Sequence, residues 1–184
     1  MVFLLIKICF LYVQFSAINF RLSDKIIVLE KGSILEQGKT LQILSSFSVA
    51  KKLGLRDLSS FIEATVYNHA PDGITELDFA GAKLFLPKID TPLGRKVHLR
   101  ILAKDITLAI DEPQKISALN ILKGEVVEII LGSGPGAVIG IKVGNHKLIT
   151  RITQRSLNAM DLKLGKTCFA FLKSVSVATS DIIV

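Results

Sequence analysis

The chain has no tryptophan, two tyrosines, two cysteines and three histidines among its 184 residues. Each scarcity excludes a class of function. With so few rings to stack on bases, and with its lysines and arginines scattered among apolar runs, the sequence offers no platform for nucleic acid. Cys9 and Cys168 stand in unlike surroundings, so neither a disulfide framework nor a thiolate metal site is expected, and a reducing, cytoplasmic compartment fits. His69, His98 and His146 fall in separate segments with no second ligand at coordinating spacing, so no metal site is expected. Acids are the scarcer charge, 16 against 23 Lys and Arg, and the resulting +7 favours anionic partners.

A complete catalytic motif is missing as well. Two Gly-Lys-Thr triplets occur, at Gly38-Lys39-Thr40 and Gly165-Lys166-Thr167. A phosphate loop needs an earlier glycine five residues before the second one, so that backbone amides wrap the phosphates. Those positions are Ser33 and Met160; Gly32 is one residue off. Asp72, Asp78, Asp105 and Asp111 could pair for acid–base chemistry, but turn and strand-edge acids are more often solvated, and no nucleophile with a partner accompanies them. No catalytic residue is assigned, and the chain as it stands is expected to be no enzyme.

What is present is a chain of globular composition, 49% hydrophobic and 21% charged, able to bury a core. Met1–Phe20 is apolar but interrupted by Lys7 and Gln14. A signal peptide places its charge before the apolar run, and a spanning helix needs about 20 apolar residues with few charges. The segment reads as a buried strand or helix of a larger domain, or as a stretch never selected as a folded start. Asp24–Gly38 has hairpin chemistry, with a turn at Lys31-Gly32. Thr40–Leu44 and Val49–Gly54 then read as a short helical linker.

From Phe61 onward the pattern is short β-rich runs separated by Gly, Pro, Asp and Asn. The expected strands are Ile62–Asn68, Thr75–Phe79, Ala82–Leu86, Lys96–Leu102, Thr107–Ile110, Lys123–Ile130, Ala137–Val143, His146–Ile152, Thr167–Lys173 and Ser176–Ala178. An internal repeat organises them: Leu93–Ala109 resembles Leu164–Ala178, each running Leu-Gly-basic, strand, lysine, second strand. Upstream, Glu63-Ala64-Thr65-Val66 matches Lys123-Gly124-Glu125-Val126. The expected fold is mainly β, two tandem small OB-like barrels preceded by a hairpin and a helical linker. The expected divisions are 1–20, 21–60, 61–112 and 113–184, with the barrel boundary near Glu112-Pro113. Units this small usually pack on each other or on a second chain.

Ser117 and Asn120, just before the opening strand of the second barrel, can turn a hydroxyl, an amide and backbone N–H groups toward one acceptor. Lys173-Ser174 closes the same unit with a cation and a hydroxyl. Such donors suit a tetrahedral oxyanion, because charge-assisted bonds are the strong ones. An ordinary turn with a solvated lysine accounts for the same residues.

Ile116–Ile129, Leu148–Ser156 and Phe171–Val175 together resemble the molybdate-binding Mop-type (TOBE) barrel. Leu53–Ser59 with the repeat after it resembles the accessory region of the ATP-binding subunit of bacterial molybdate ABC importers, and Arg21–Gly32 resembles the last hairpin of that subunit's ATPase domain. The likeness covers about Arg21 to Ala178. It implies an oxyanion site of Ser117, Asn120, Lys173 and Ser174, with Thr153 as a further candidate. It implies molybdate as the bound oxyanion, sites at contacts between barrels and hence a homodimer, and a membrane permease subunit as partner at the inner face of the cell membrane. Many stand-alone barrels of this type have Arg where this chain has Leu119, which removes a bidentate donor. The family's ATPase domain, with its phosphate loop, signature motif, acidic strand and switch histidine, is not seen, so the chain is expected to be a C-terminal portion from a broken or restarted reading frame, binding no nucleotide alone. A purely structural dimerisation barrel, or a subunit completed by a separately encoded ATPase domain, are the alternatives. Molybdate, tungstate and sulfate offer the same donors similar acceptors.

Overall fold

A computed structural model describes residues 25–30, 32–39, 43, 58–178 and 181–183. Met1–Phe20 lies outside the described residues, as does the expected helical linker apart from Ile43. The hairpin is present: β1 (Lys25–Glu30) pairs antiparallel with β2 (Ser33–Lys39). Its turn contains Gly32 at φ +79°, a left-handed conformation that a residue without Cβ adopts at no steric cost. Val28 and Ile43 form a small core of their own with Leu35 beside it.

Ten further strands among the described residues are β3 (Ser59–His69), β4 (Ile74–Phe79), β5 (Ala82–Pro87), β6 (Lys96–Leu102), β7 (Thr107–Ala109), β8 (Asn120–Leu131), β9 (Gly136–Val143), β10 (His146–Thr153), β11 (Thr167–Leu172) and β12 (Ile182–Ile183). One sheet runs β12-β6-β3-β4-β5 and the other β10-β9-β8-β11-β7, with every described pairing antiparallel. The period-two pattern that marks half-buried strands decides which way each one faces. In β3, Ile62, Ala64 and Val66 are buried, and Phe61, Glu63 and Thr65 between them are only partly so; in β6 the buried set is Val97, Leu99 and Ile101. These faces and their counterparts in the second sheet merge into one continuous core.

The repeat seen in the sequence recurs in the hydrogen bonds. Gly94 N–H donates to Val66 O and Gly165 N–H to Val126 O, each at 2.8 Å; Val66 N–H donates to Arg95 O and Val126 N–H to Lys166 O, each at 2.9 Å. Gly94 and Gly165 take the same left-handed φ, +78° and +81°, and β3 and β8 each carry a register shift just past these valines.

The two halves also exchange strands. β7 follows β6 in sequence but pairs with β11, setting Leu108 opposite Ala170; β12 follows β11 but pairs with β6, setting Ile182 opposite Leu99. Each half thus gives its last strand to the sheet of the other. This corrects one expected element. Ser176–Ala178 is no strand: Ser174–Ser176 forms a 3-10 turn, closed by Ser176 N–H on Lys173 O at 3.0 Å, and Val177 turns into the core. The strand role falls to β12. A helix unforeseen in the sequence, α1 (Gln154–Ala159), follows β10 and buries Leu157.

Candidate functional site

β8 and β11 are antiparallel neighbours in which Asn120 pairs with Leu172 as the last pair of the ladder, so Leu119 and Lys173 are the residues that adjoin it at that end. That end of the sheet collects most of the expected donors. Ser117 is exposed, three residues before Asn120, and Lys173 is exposed with no ion-pair partner among the described residues. Ser174 begins the 3-10 turn and is buried to 6% exposure, yet its hydroxyl has no hydrogen-bond partner among the described residues. A buried polar group left unpaired costs about 1–3 kcal/mol, so an acceptor brought to Ser174 recovers free energy the fold gives up. Ile116, Leu119 and Val175, the apolar chain neighbours of these groups, are exposed.

Asn120 is fully buried and already engaged. Its Oδ1 accepts from Phe85 N–H at 2.6 Å and its Nδ2 donates to Phe85 O at 3.0 Å, so both polar atoms of the amide are bonded within the chain. Thr153 stands elsewhere. It pairs with Gly136, next to the Leu131 end of β8, whereas Asn120 begins that strand. The Thr153 hydroxyl accepts from Ser156 N–H at 3.0 Å, capping α1, and lies 2.8 Å from the Ser156 hydroxyl. The structure therefore sets Asn120 at the end of the β8–β11 pair next to Lys173 and Ser174, with Ser117 three residues before it in the chain, and sets Thr153 at the other end. Ser156 was not picked out in the sequence, although a threonine followed three residues later by a serine at a helix start is the signal for such a hydroxyl pair.

The remaining motifs resolve into structural roles. Gly38 and Lys39 belong to β2. Lys166 donates to Met160 O at 2.9 Å and Asp161 O at 3.0 Å, fastening the turn after α1. Asp72 and Asp78 accept from the Ile74 and Gly81 amides of their own turns, at 3.2 and 3.1 Å. His69 bridges Thr75 Oγ1 at 3.0 Å and Thr91 O at 2.9 Å, and His146 lies against the Phe79 ring with centroids 4.8 Å apart. Among the described residues no cluster of His, Cys, Asp or Glu could hold a metal ion. A shallow depression of about 270 Å³ lies between Lys123, Lys142 and Thr167, but Glu125 stands directly across from Lys142 and offsets the positive charge there. Among the described residues no helix is long and apolar enough to cross a membrane.

Comparison with known proteins gives the family and the fold. Residues 116–179 match the TOBE domain. The molybdenum import ATP-binding protein ModC of Mesorhizobium japonicum is 31% identical over 172 residues, 92% of this chain and 46% of the relative. ModC of Escherichia coli K12 is 30% identical over 174 residues, 94% of this chain and 49% of the relative. The chain thus spans about half the length of the curated relatives it matches. Among solved structures, the cytoplasmic molybdate-binding protein ModG in a molybdate-bound form superposes with a TM-score of 0.57 at 23% identity, covering 68% of this chain and 95% of that one, a likeness of fold.

Proposed function

From the premise that this chain belongs to the family of molybdenum import ATP-binding proteins and carries their TOBE domain at residues 116–179, we propose that its tandem barrel is the oxyanion-binding, regulatory part of a molybdate importer. One observation carries the reading: the buried Ser174 hydroxyl, without a hydrogen-bond partner among the described residues, directly follows Lys173, an exposed cation without an ion-pair partner among them, at one end of the sheet. A tetrahedral dianion there would accept from Ser174 and Lys173 and from the exposed hydroxyl of Ser117. Charge-assisted bonds of this kind contribute about 1.5–3 kcal/mol each.

Thr153 and Ser156 sit at the other end of the sheet, so they join Lys173 and Ser174 only if a second copy presents that end. We therefore place the complete site between two copies of the chain, which makes oxyanion binding and dimerisation one event. The ATPase activity and the permease partner of the relatives extend to this chain only as proposals, because it spans about half their length. In that setting the barrel acts at the inner face of the membrane, reporting cytoplasmic molybdate to the transporter, and it acts by binding with no catalysis of its own.

The test is calorimetric titration of the whole chain with molybdate, with sulfate as competitor and sedimentation alongside. Saturable heat that sulfate does not displace, together with a concentration-dependent dimer, is the expected result. A dimer without heat or saturation would leave a purely structural barrel, the reading favoured by Leu119 at 53% exposure in place of a cationic donor.

A further inference from the structure

Asn120 has a counterpart in the first half. Ser60 stands to Val66 as Asn120 stands to Val126, the two valines that make matching bonds in the two halves. Like Asn120, Ser60 is fully buried and grips one backbone residue through both its N–H and its carbonyl: Ile149 N–H donates to Ser60 Oγ at 2.7 Å, and Ser60 Oγ donates to Ile149 O at 3.5 Å. The gripped residues match as well. Phe85 follows Leu84, which pairs with the Leu77 opposite Val66; Ile149 follows Leu148, which pairs with the Ile141 opposite Val126.

β5 and β10, which carry Phe85 and Ile149, are the outermost strands of their sheets. An edge strand leaves a row of N–H and C=O groups unpaired. Accepting from the N–H and donating to the C=O of one residue is what a residue of the next antiparallel strand would do. A side chain from each half therefore stands in for the missing neighbour of the other half's edge strand.

We propose that Asn120 and Ser60 are paired latches locking the two barrels together, and that Asn120 is a positioning residue for the Lys173–Ser174 site. The positioning half rests on the proposed oxyanion reading. Asn120 reaches the site through both of its connections. Its backbone pairs with Leu172, directly before Lys173, and its side chain holds β5, the strand against which the 3-10 turn of Ser174 packs. The first-half latch reaches neither Lys173 nor Ser174: Ser60 pairs with Ile101, and its side chain holds β10 at Ile149, on the strand that ends at Thr153.

Amide hydrogen exchange on the whole chain, resolved by residue, tests the proposal with and without saturating molybdate. Phe85 N–H is expected to stay equally protected in both states of the unaltered protein. Asn120→Ala should speed exchange at Phe85, and Ser60→Ala at Ile149, by roughly tenfold, the equivalent of one net hydrogen bond. Asn120→Ala should also raise the molybdate concentration at half-saturation by roughly tenfold, and by more than Ser60→Ala, which touches only the strand of Thr153. Loss of Phe85 protection on saturation would show that the amide turns to the anion, and would overturn the latch; this arm needs no variant and survives a variant that fails to fold. Equal molybdate affinity in unaltered and Asn120→Ala protein would overturn the positioning role. Absence of molybdate binding by the unaltered chain would overturn the proposed function and the positioning role with it, leaving the latches to the exchange rates alone.

Discussion

Replacing Ser174 by alanine should change stability and binding in opposite directions. The side chain is 6% exposed and its hydroxyl is unpaired among the described residues. Removing an unsatisfied buried hydroxyl relieves part of a desolvation penalty of about 1–3 kcal/mol, while the lost oxygen leaves a very small gap. A gain near 1 kcal/mol without oxyanion follows, which for a chain of this length raises Tm by about 2–4 °C. In the presence of molybdate the same change deletes a hydrogen bond to a charged acceptor, worth about 1.5–3 kcal/mol. Affinity should then fall by about tenfold to a hundredfold, at 1.4 kcal/mol per factor of ten. Urea unfolding and calorimetric titration on one preparation read both effects. A destabilised Ser174→Ala variant would mean that the hydroxyl is paired in the fold, and undiminished affinity would remove it from the site; either result refutes the reasoning.

Leu119→Arg, at the end of the β8–β11 ladder that Lys173 also adjoins, should tighten molybdate binding by about tenfold or more in titration, since it restores a bidentate charged donor; no change would favour the structural barrel. Cys168 is fully buried and its burial pushes the thiol up from the usual value, so peptide mapping after thiol labelling should find it unmodified until the chain unfolds. Because the unfolded thiol ionises first, this group also lowers stability as pH rises past about 9, which urea midpoints at pH 8 and pH 10 for the protein and its Cys168→Ala variant would show. Lys96, bonded to Glu63 at 2.7 Å, holds the Glu63 carboxyl below its usual value, with His98 at 3.4 Å adding to the effect. That contribution is present above about pH 4.5 and is lost on further acidification; the pair is solvent-screened, so Glu63→Gln should flatten the acid limb of stability by less than about 1 kcal/mol, and unchanged limbs would count against the pairing. A piece beginning at Pro113 leaves β11 without β7 and β12 without β6, so it should lack a cooperative unfolding transition by circular dichroism, and a well-folded monomer would contradict the exchange.

Strands whose apolar residues alternate were legible in the sequence, and Lys96–Leu102 and His146–Ile152 correspond closely to β6 and β10. The repeat was legible too, because Leu-Gly-basic marks a turn whose glycine must adopt positive φ in both halves. Partner choice between strands was not. β12 is two residues long, too short for any period, and it is a strand only because the edge of β6 lies open to it. Helix α1 buries only Leu157 along its six residues, which leaves no helical stripe to read. At the candidate site, Lys173 and Ser174 could be picked out as candidate donors from chemistry alone, beside the alternative of an ordinary turn. The engagement of Asn120 was not, because Phe85 comes from the opposite half and nothing local to either segment announces the pair. The burial of Ser174 likewise depends on a 3-10 turn that begins between two expected strands, where no element was expected.

The traded strands bear on how the molecule is made. During synthesis the first sheet acquires β3 to β6 early, yet its outer position beside β6 stays open until Ile182 and Ile183 have been added. Its hydrophobic interior is also shared with strands of the second half. A nascent chain paused anywhere in that second half would display an unguarded edge and incomplete apolar packing to whatever surrounds the ribosome, the kind of surface chaperones hold. The two halves therefore cannot mature in turn; the earlier one waits for the later, and quality control in the cell judges them together.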